Sequence, residues 1–190
     1  MTTKQFNGGL EVGKKVYVGI DQSLTGFAIT LLDETDSNKY TAWVYKSPHF
    51  GVERLKDIQG FMREIFYEYE VRGGKIVDVA IEGSVLQSPA ALKLGELAGA
   101  VKLELLYNNI YPLQVSPMTL KKFASGKGNS KKAEMLLQMY KRWGIEFSDD
   151  NAADSYALAR LVKGIGINAQ EKAVIKQMQD PKYRDEPRLA

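Results

Sequence analysis

Cysteine is absent from this chain, and histidine occurs once, at His49. The first absence excludes disulfides, zinc–thiolate centres and cysteine nucleophiles. The second leaves His49, in Ser47-Pro48-His49-Phe50, without the partners of a catalytic triad, so it reads as incidental to any chemistry. No apolar run approaches the roughly 18 residues that a membrane span requires. The stretch from Met1 to Gly13 is polar and has no apolar core of a secretory signal. A chain of this kind is expected in the cytoplasm.

Apolar residues make up 44% of the 190 and charged residues 26%, enough for one globular core and too apolar for a disordered chain. The net charge of +3 says less than its distribution. Between Gln114 and Arg142 lie seven basic residues (Lys121, Lys122, Lys127, Lys131, Lys132, Lys141 and Arg142) and one acid, Glu134. Such a segment suits a polyanion. For the charge run alone, a solvated helix face is the preferred account.

Val16 to Asp21 reads as a buried strand, followed by apolar runs over Gly26 to Leu32 and Tyr40 to Tyr45. The turn chemistry of Asp33 to Asn38 makes these three an antiparallel meander. Leu55, Ile58, Met62, Ile65, Phe66 and Tyr69 recur at helical spacing between Val52 and Tyr69, and Gly73-Gly74 ends that helix. Ile76 to Ile81 is a central strand ending at Glu82. A long helix over Pro89 to Asn108 carries Gly95, Ala98, Gly99 and Ala100 in its middle. Each glycine there costs roughly 1 kcal/mol, which close packing against another backbone would offset. Ile110 to Val115 is a short strand. Ser116-Pro117 starts a helix, Ser125 to Asn129 reads as a flexible basic loop, and Ser130 to Trp143 is helical. Asp149 or Asp150 caps a last core helix running to about Val162. Residues 1–163 form one domain. Residues 164–190 form a C-terminal extension, helical over Ala169 to Gln179 and mobile from Asp180 onward. The order implies an α/β fold: a five-stranded mixed sheet, three strands in a meander and two parallel, with helices on both faces.

Asp21 and Glu82 each end a buried strand, and they converge if those strands are neighbours. Asp150 and Asp154 lie four apart, on one face at the start of a helix. Like charges at that spacing repel, and a cation would compensate them. An all-oxygen set without cysteine suits Mg²⁺, with Mn²⁺ as a substitute. A pair of such ions roughly 3.5–4 Å apart activates water against a phosphodiester. Each acid also has a plainer reading. Asp150 and Asp154 suit the positive end of a helix, and a strand-ending acid is often a turn former.

Val18-Gly19-Ile20-Asp21-Gln22-Ser23 with Thr25-Gly26, Ala80-Ile81-Glu82, and Asn151-Ala152-Ala153-Asp154 with Ala157-Leu158-Ala159 are three segments in a telling order. Between the second and third come Ala91 to Gly95 with Gly99-Ala100-Val101, and Val115-Ser116-Pro117 through Lys121, Gly126-Lys127-Gly128 and Lys131-Lys132. Together they resemble the RuvC family of Holliday junction resolvases over about Val16 to Val162. The resemblance implies an RNase H-like fold. It implies a homodimer through the helix 89–108, and Mg²⁺-dependent paired nicking of a four-way DNA junction that leaves 5′-phosphate and 3′-hydroxyl ends. Asp21, Glu82, Asp150 and Asp154 are then the catalytic acids and metal ligands. Lys121, Lys122, Lys127, Lys131 and Lys132 contact DNA.

Two departures stand out. The family acid three residues before Asp154 is here Asn151, so either Asp150 substitutes for it or Asn151 is a neutral ligand. The family's junction-wedging aromatic after the Glu motif is replaced by Val85-Leu86. These departures and the short chain resemble a bacteriophage member. They also leave room for a broader debranching nuclease that cuts three-way junctions, forks or flaps. Gly19-Ile20-Asp21 with Thr25-Gly26 also resembles the first phosphate loop of actin-type and sugar-kinase phosphotransferases. Those need two such domains and a second glycine-rich loop, which this sequence lacks. A non-catalytic protein that binds branched DNA is the remaining alternative. Buried-rim carboxylates beside phosphate disfavour it unless a metal is present.

Overall fold

The computed structural model describes residues 1–7, 10, 13–83 and 89–184. Six strands form one sheet: β1 (Thr2–Asn7), β2 (Lys15–Asp21), β3 (Phe27–Asp33), β4 (Tyr40–Tyr45), β5 (Lys75–Glu82) and β6 (Leu113–Val115). Their spatial order is β1-β4-β3-β2-β5-β6. The meander β2-β3-β4 is antiparallel, and β5 and β6 run parallel to β2. The expected five strands are therefore six. The additional strand is β1, which pairs antiparallel with β4 from Thr2 opposite Tyr45 to Asn7 opposite Tyr40. Its Thr-Thr-Lys-Gln sequence gives no apolar run, because an edge strand is held by backbone pairing more than by burial.

The described residues also form the α-helices α1 (Gly51–Val71), α2 (Ala91–Tyr107), α3 (Pro117–Ser125), α4 (Lys132–Trp143), α5 (Asp150–Val162) and α6 (Ala169–Met178). Alternation along β2 divides the core. Val16, Val18 and Ile20 point to one face, where they meet Ile58, Met62 and Phe66 of α1 and Leu97, Val101 and Leu105 of α2. On the other face Ala28, Ala42 and Ala80 meet α5, with Phe123 of α3 and Met139 and Trp143 of α4 beyond it. α5 is buried almost all round, so its small residues Ala152, Ala153, Ala157 and Ala159 let it lie close over β2, β3 and β5.

Beyond Val162 the chain continues onto the same core. Val174 and Met178 of α6 are buried there. Glu171 is fully buried, paired with Arg142, and accepts hydrogen bonds from Trp143 Nε1 (3.3 Å) and the Ile167 amide (2.7 Å). The charged segment from Asp180 to Arg184 reads as mobile in sequence, but here it is fastened. Arg184 forms a two-pronged ion pair with Asp78 (2.9 and 2.6 Å) and donates to the Tyr111 carbonyl. Its backbone bridges Leu113 on the free edge of β6. No described helix is long and apolar enough to cross a membrane.

Candidate metal and nucleic-acid site

The sheet register brings the first two acids together. β2 and β5 are parallel neighbours, with Gly19 opposite Ala80 and Ile20 opposite Ile81. Asp21 and Glu82 are the next residues on each strand, so both leave the sheet at the same rim. By alternation both face α5. Asp21 is only 4% exposed, and Glu82 is half-buried.

α5 supplies the third acid. Asp149 is its N-cap, accepting from the Asn151 and Ala152 amides at 2.8 and 3.3 Å. This fixes the helix start so that Asp154 faces Asp21 and Glu82: its charge acts on Asp21, and the charge of Glu82 acts on it. Gly19 sets the approach. A Cβ there would lie 1.9 Å from the Ser155 carbonyl oxygen and 2.4 Å from the Ala159 nitrogen. A buried hydrogen bond between the Thr30 and Ser155 hydroxyls (2.7 Å) ties the same turn of α5 to β3.

Burial raises the proton affinity of all three carboxyls, and for Asp21 and Asp154 the neighbouring acids add to it. Asp21 is pushed well above the usual carboxylate range, by burial first and then by the charges of Glu82 and Asp154. It also shares a hydrogen bond with Glu82. Glu82 is raised by burial, against the lowering effect of its hydrogen bond with Asp21 and the pull of Lys121 and Lys132. Asp154 is pushed up to about 7, by burial and then by Glu82. Anionic oxygens held this close in a dry setting demand either protons or cations.

Asp150 and Asn151 are used differently. Asp150 forms an ion pair with Lys132. The Asn151 amide nitrogen donates to Asp149 Oδ1 (3.1 Å), and the side chain packs where a Cβ on Gly26 would fall. Of the basic segment, Lys121 and Lys132 face the acids. Lys122 and Lys131 are exposed, and Lys127 pairs with Glu134 at 3.6 Å. The loop between α3 and α4 is not the free coil its composition suggests. Ser125 Oγ donates to the Lys121 carbonyl (2.7 Å) and meets Ser130 Oγ (2.5 Å), and Gln170 of α6 donates to the Gly126 carbonyl. Val85 and Leu86, the wedge candidates, lie outside the described residues.

The donor chemistry fits a hard cation. All the converging atoms are oxygens, and Gln22 adds a buried amide oxygen with no hydrogen-bond partner among the described residues. Its amide nitrogen is held by the Glu82 carbonyl at 2.7 Å. Among the described residues no three acid or histidine side chains close into a ready-made cage. Mg²⁺ does not require one, because it keeps several waters and takes one or two carboxylates at a time. A cleft of about 570 Å³ is lined by Leu31, Trp43, Phe61 and Tyr69, and its lining includes none of the acids. Acids gathered at a sheet rim beside lysines suit a polymer better than an enclosed small molecule.

Gln22 is the supporting residue that motif reasoning passes over, although it follows Asp21 directly in the sequence. Of the two capping candidates, Asp149 is the one that caps α5.

No protein-family model matches the sequence, and no curated protein matches it significantly. Solved structures do match. A Thermus thermophilus RuvC structure superposes with a TM-score of 0.58 at 21% identity, covering 87% of this chain and 97% of that one. T. thermophilus RuvC in complex with a Holliday junction substrate superposes with a TM-score of 0.60 at 22% identity, covering 76% and 90%. The chain therefore shares the RNase H-like α/β fold of RuvC, a mixed sheet flanked by helices.

Proposed function

We propose that this chain is a metal-dependent endonuclease of the RuvC kind that makes paired nicks in four-way DNA junctions. The observation that carries the reading is the meeting of Asp21, Glu82 and Asp154 at one rim, beside Lys121 and Lys132, on a fold shared with RuvC. In this reading Asp21, Glu82, Asp154 and Asp150 hold two Mg²⁺ ions, for which Mn²⁺ substitutes, and Asn151 positions the α5 turn through Asp149. Bound there, the ions would polarise the scissile phosphate and acidify the attacking water. Lys132 neutralises Asp150 until a cation arrives. Lys121, Lys122, Lys127, Lys131 and Lys132 contact the DNA backbone, and their loss should weaken binding to all sequences alike. Residues 1–163 carry this rim. Residues 164–190 act as an extension that braces the basic helices through Gln170 and Glu171.

A homodimer through α2 belongs to the same proposal. Leu92, Gly95, Gly99, Leu103 and Leu106 form one exposed helical stripe. A Cβ on Gly95 or Gly99 would meet nothing within 4 Å among the described residues, so those residues do not supply the packing that would offset these glycines, and a second subunit would. Two subunits would present two rims to two strands.

The test is cleavage of end-labelled substrates in Mg²⁺. Paired symmetrical nicks confined to the four-way junction support the resolvase. Equal cutting of three-way junctions and forks points to the broader debranching nuclease, which Val85-Leu86 in place of an aromatic wedge favours. Binding of branched DNA without cutting, in Mg²⁺ and in Mn²⁺, contradicts the enzyme.

A further inference from the structure

The acid rim continues past β3 to the end of β4. Tyr45 pairs with Phe27, and Asp21 with Ala28, so the chain leaving β4 emerges at the same edge of the sheet. It is two strands from Asp21, or about 10 Å at ordinary strand spacing. The segment that emerges is Lys46-Ser47-Pro48-His49-Phe50, entering α1.

Phe50 is 82% exposed, and Val52 and Met1 are also open to solvent. The Arg54 guanidinium lies over the Phe50 ring at 4.9 Å, and Arg54 Nε donates to the His49 carbonyl at 3.1 Å. The loop below the ring is stapled. Asp57 accepts from Ser47 Oγ at 2.5 Å and meets His49 Nδ1 at 2.8 Å, while the His49 amide donates to Ser47 Oγ at 3.0 Å. The single histidine thus holds up an aromatic ring. The Met1 ammonium and the Lys46 amide bind each other's carbonyls. Neither Lys46 nor Arg54 has a carboxylate partner among the described residues.

An exposed ring, backed by a guanidinium on a fastened loop and flanked by free positive charge, has the components of a base-stacking platform. Resting on the nuclease reading above, we propose that Phe50, with Arg54 behind it, stacks an unpaired base of branched DNA about two strands from the cutting site. Stacking on an aromatic is worth about 1–3 kcal/mol per base, so the effect is measurable in binding.

The experiment compares the full chain with Phe50→Ala, Phe50→Trp and Arg54→Ala. Each is titrated onto a four-way junction, onto the same junction with abasic nucleotides at the crossover, and onto linear duplex. Phe50→Ala should weaken junction binding about tenfold or more while leaving duplex binding and thermal stability unchanged, and Phe50→Trp should retain affinity. Arg54→Ala should weaken it less. The abasic junction should weaken the wild type and cause no further loss in Phe50→Ala, because both changes remove the same stack. Equal junction affinity for wild type and Phe50→Ala overturns the proposal. So does an equal loss on duplex and junction, or a change of oligomeric state that marks Phe50 as a protein contact. If the wild type cuts junctions and Phe50→Ala changes nothing, this inference alone fails. If the wild type neither binds nor cuts branched DNA, the nuclease reading fails with it.

Discussion

Gly19 of β2 lies directly under Ser155 of α5, so close that a methyl group on Gly19 would fall 1.9 Å from the Ser155 carbonyl oxygen. One missing side chain thereby sets the height of α5 above the sheet, and with it the distance from Asp154 to Asp21. Both close atoms, the Ser155 oxygen and the Ala159 nitrogen, are backbone and cannot rotate away.

Gly19→Ala should therefore lift α5. The expected cost is at the upper end of overpacking, about 3 kcal/mol, read as a lowered urea midpoint. Nicking should fall further than the folded fraction does, because Asp154 moves with its helix. Gly60→Ala is the control. It lies inside α1 with nothing within 4 Å of its Cβ, and should stabilise by up to about 1 kcal/mol with activity intact.

The crowded acids predict an unusual pH dependence in metal-free protein. Asp154 holds its proton to about 7 when folded, against 3.8 as a free carboxyl. Between those values the folded chain carries a proton that the unfolded chain has released. Stability from this group is thus present at low pH and is lost as pH rises through the window. In EDTA at pH 8, Asp154→Asn should be more stable than wild type by up to about 4 kcal/mol, and at pH 4 the difference should vanish. Parallel urea curves at both pH values would contradict the crowding.

The α2 stripe makes a separate prediction. Leu103→Glu places a charge on the exposed Leu92–Leu106 face without touching the buried Leu97 and Val101. Sedimentation should show the wild type as a dimer and the variant as a monomer. The variant should nick one strand of a junction where the wild type nicks two. A monomeric wild type would remove α2 from the account.

Glu171 binds the extension to the basic helices. It is fully buried and satisfies Arg142, Trp143 and the Ile167 amide together. Glu171→Ala leaves the Arg142 guanidinium uncompensated in the core, which should cost about 3–5 kcal/mol. The loss is measured by denaturant unfolding, and Glu171→Gln should recover part of it.

The parts of the fold legible in sequence were those with strong apolar periodicity. The meander, α1, α2 and α5 follow from runs that bury one or both faces. Asp21 and Glu82 were found because an acid ending an apolar strand stands out, and the parallel pairing of β2 with β5 brings them level. β1 was missed because Thr2 to Asn7 is an edge held by backbone pairing with β4. The segment to Arg184 looked mobile because its anchor, Asp78, lies 106 positions away. His49 looked idle for a similar reason: its partner Asp57 lies in the following helix, where only the folded loop brings them together. Asp150 and Asn151 were interchangeable in sequence. In the fold Asp150 meets Lys132, while Asn151 turns to Asp149.

The most direct test of the central claim is the single-turnover nicking rate of a four-way junction in Mg²⁺, for wild type and for Asp154→Asn, with junction affinity measured alongside. If Asp21, Glu82 and Asp154 form the metal site, the variant should lose on the order of a thousandfold in rate, about 4 kcal/mol, while still binding the junction. A variant that nicks as fast as wild type would contradict the site.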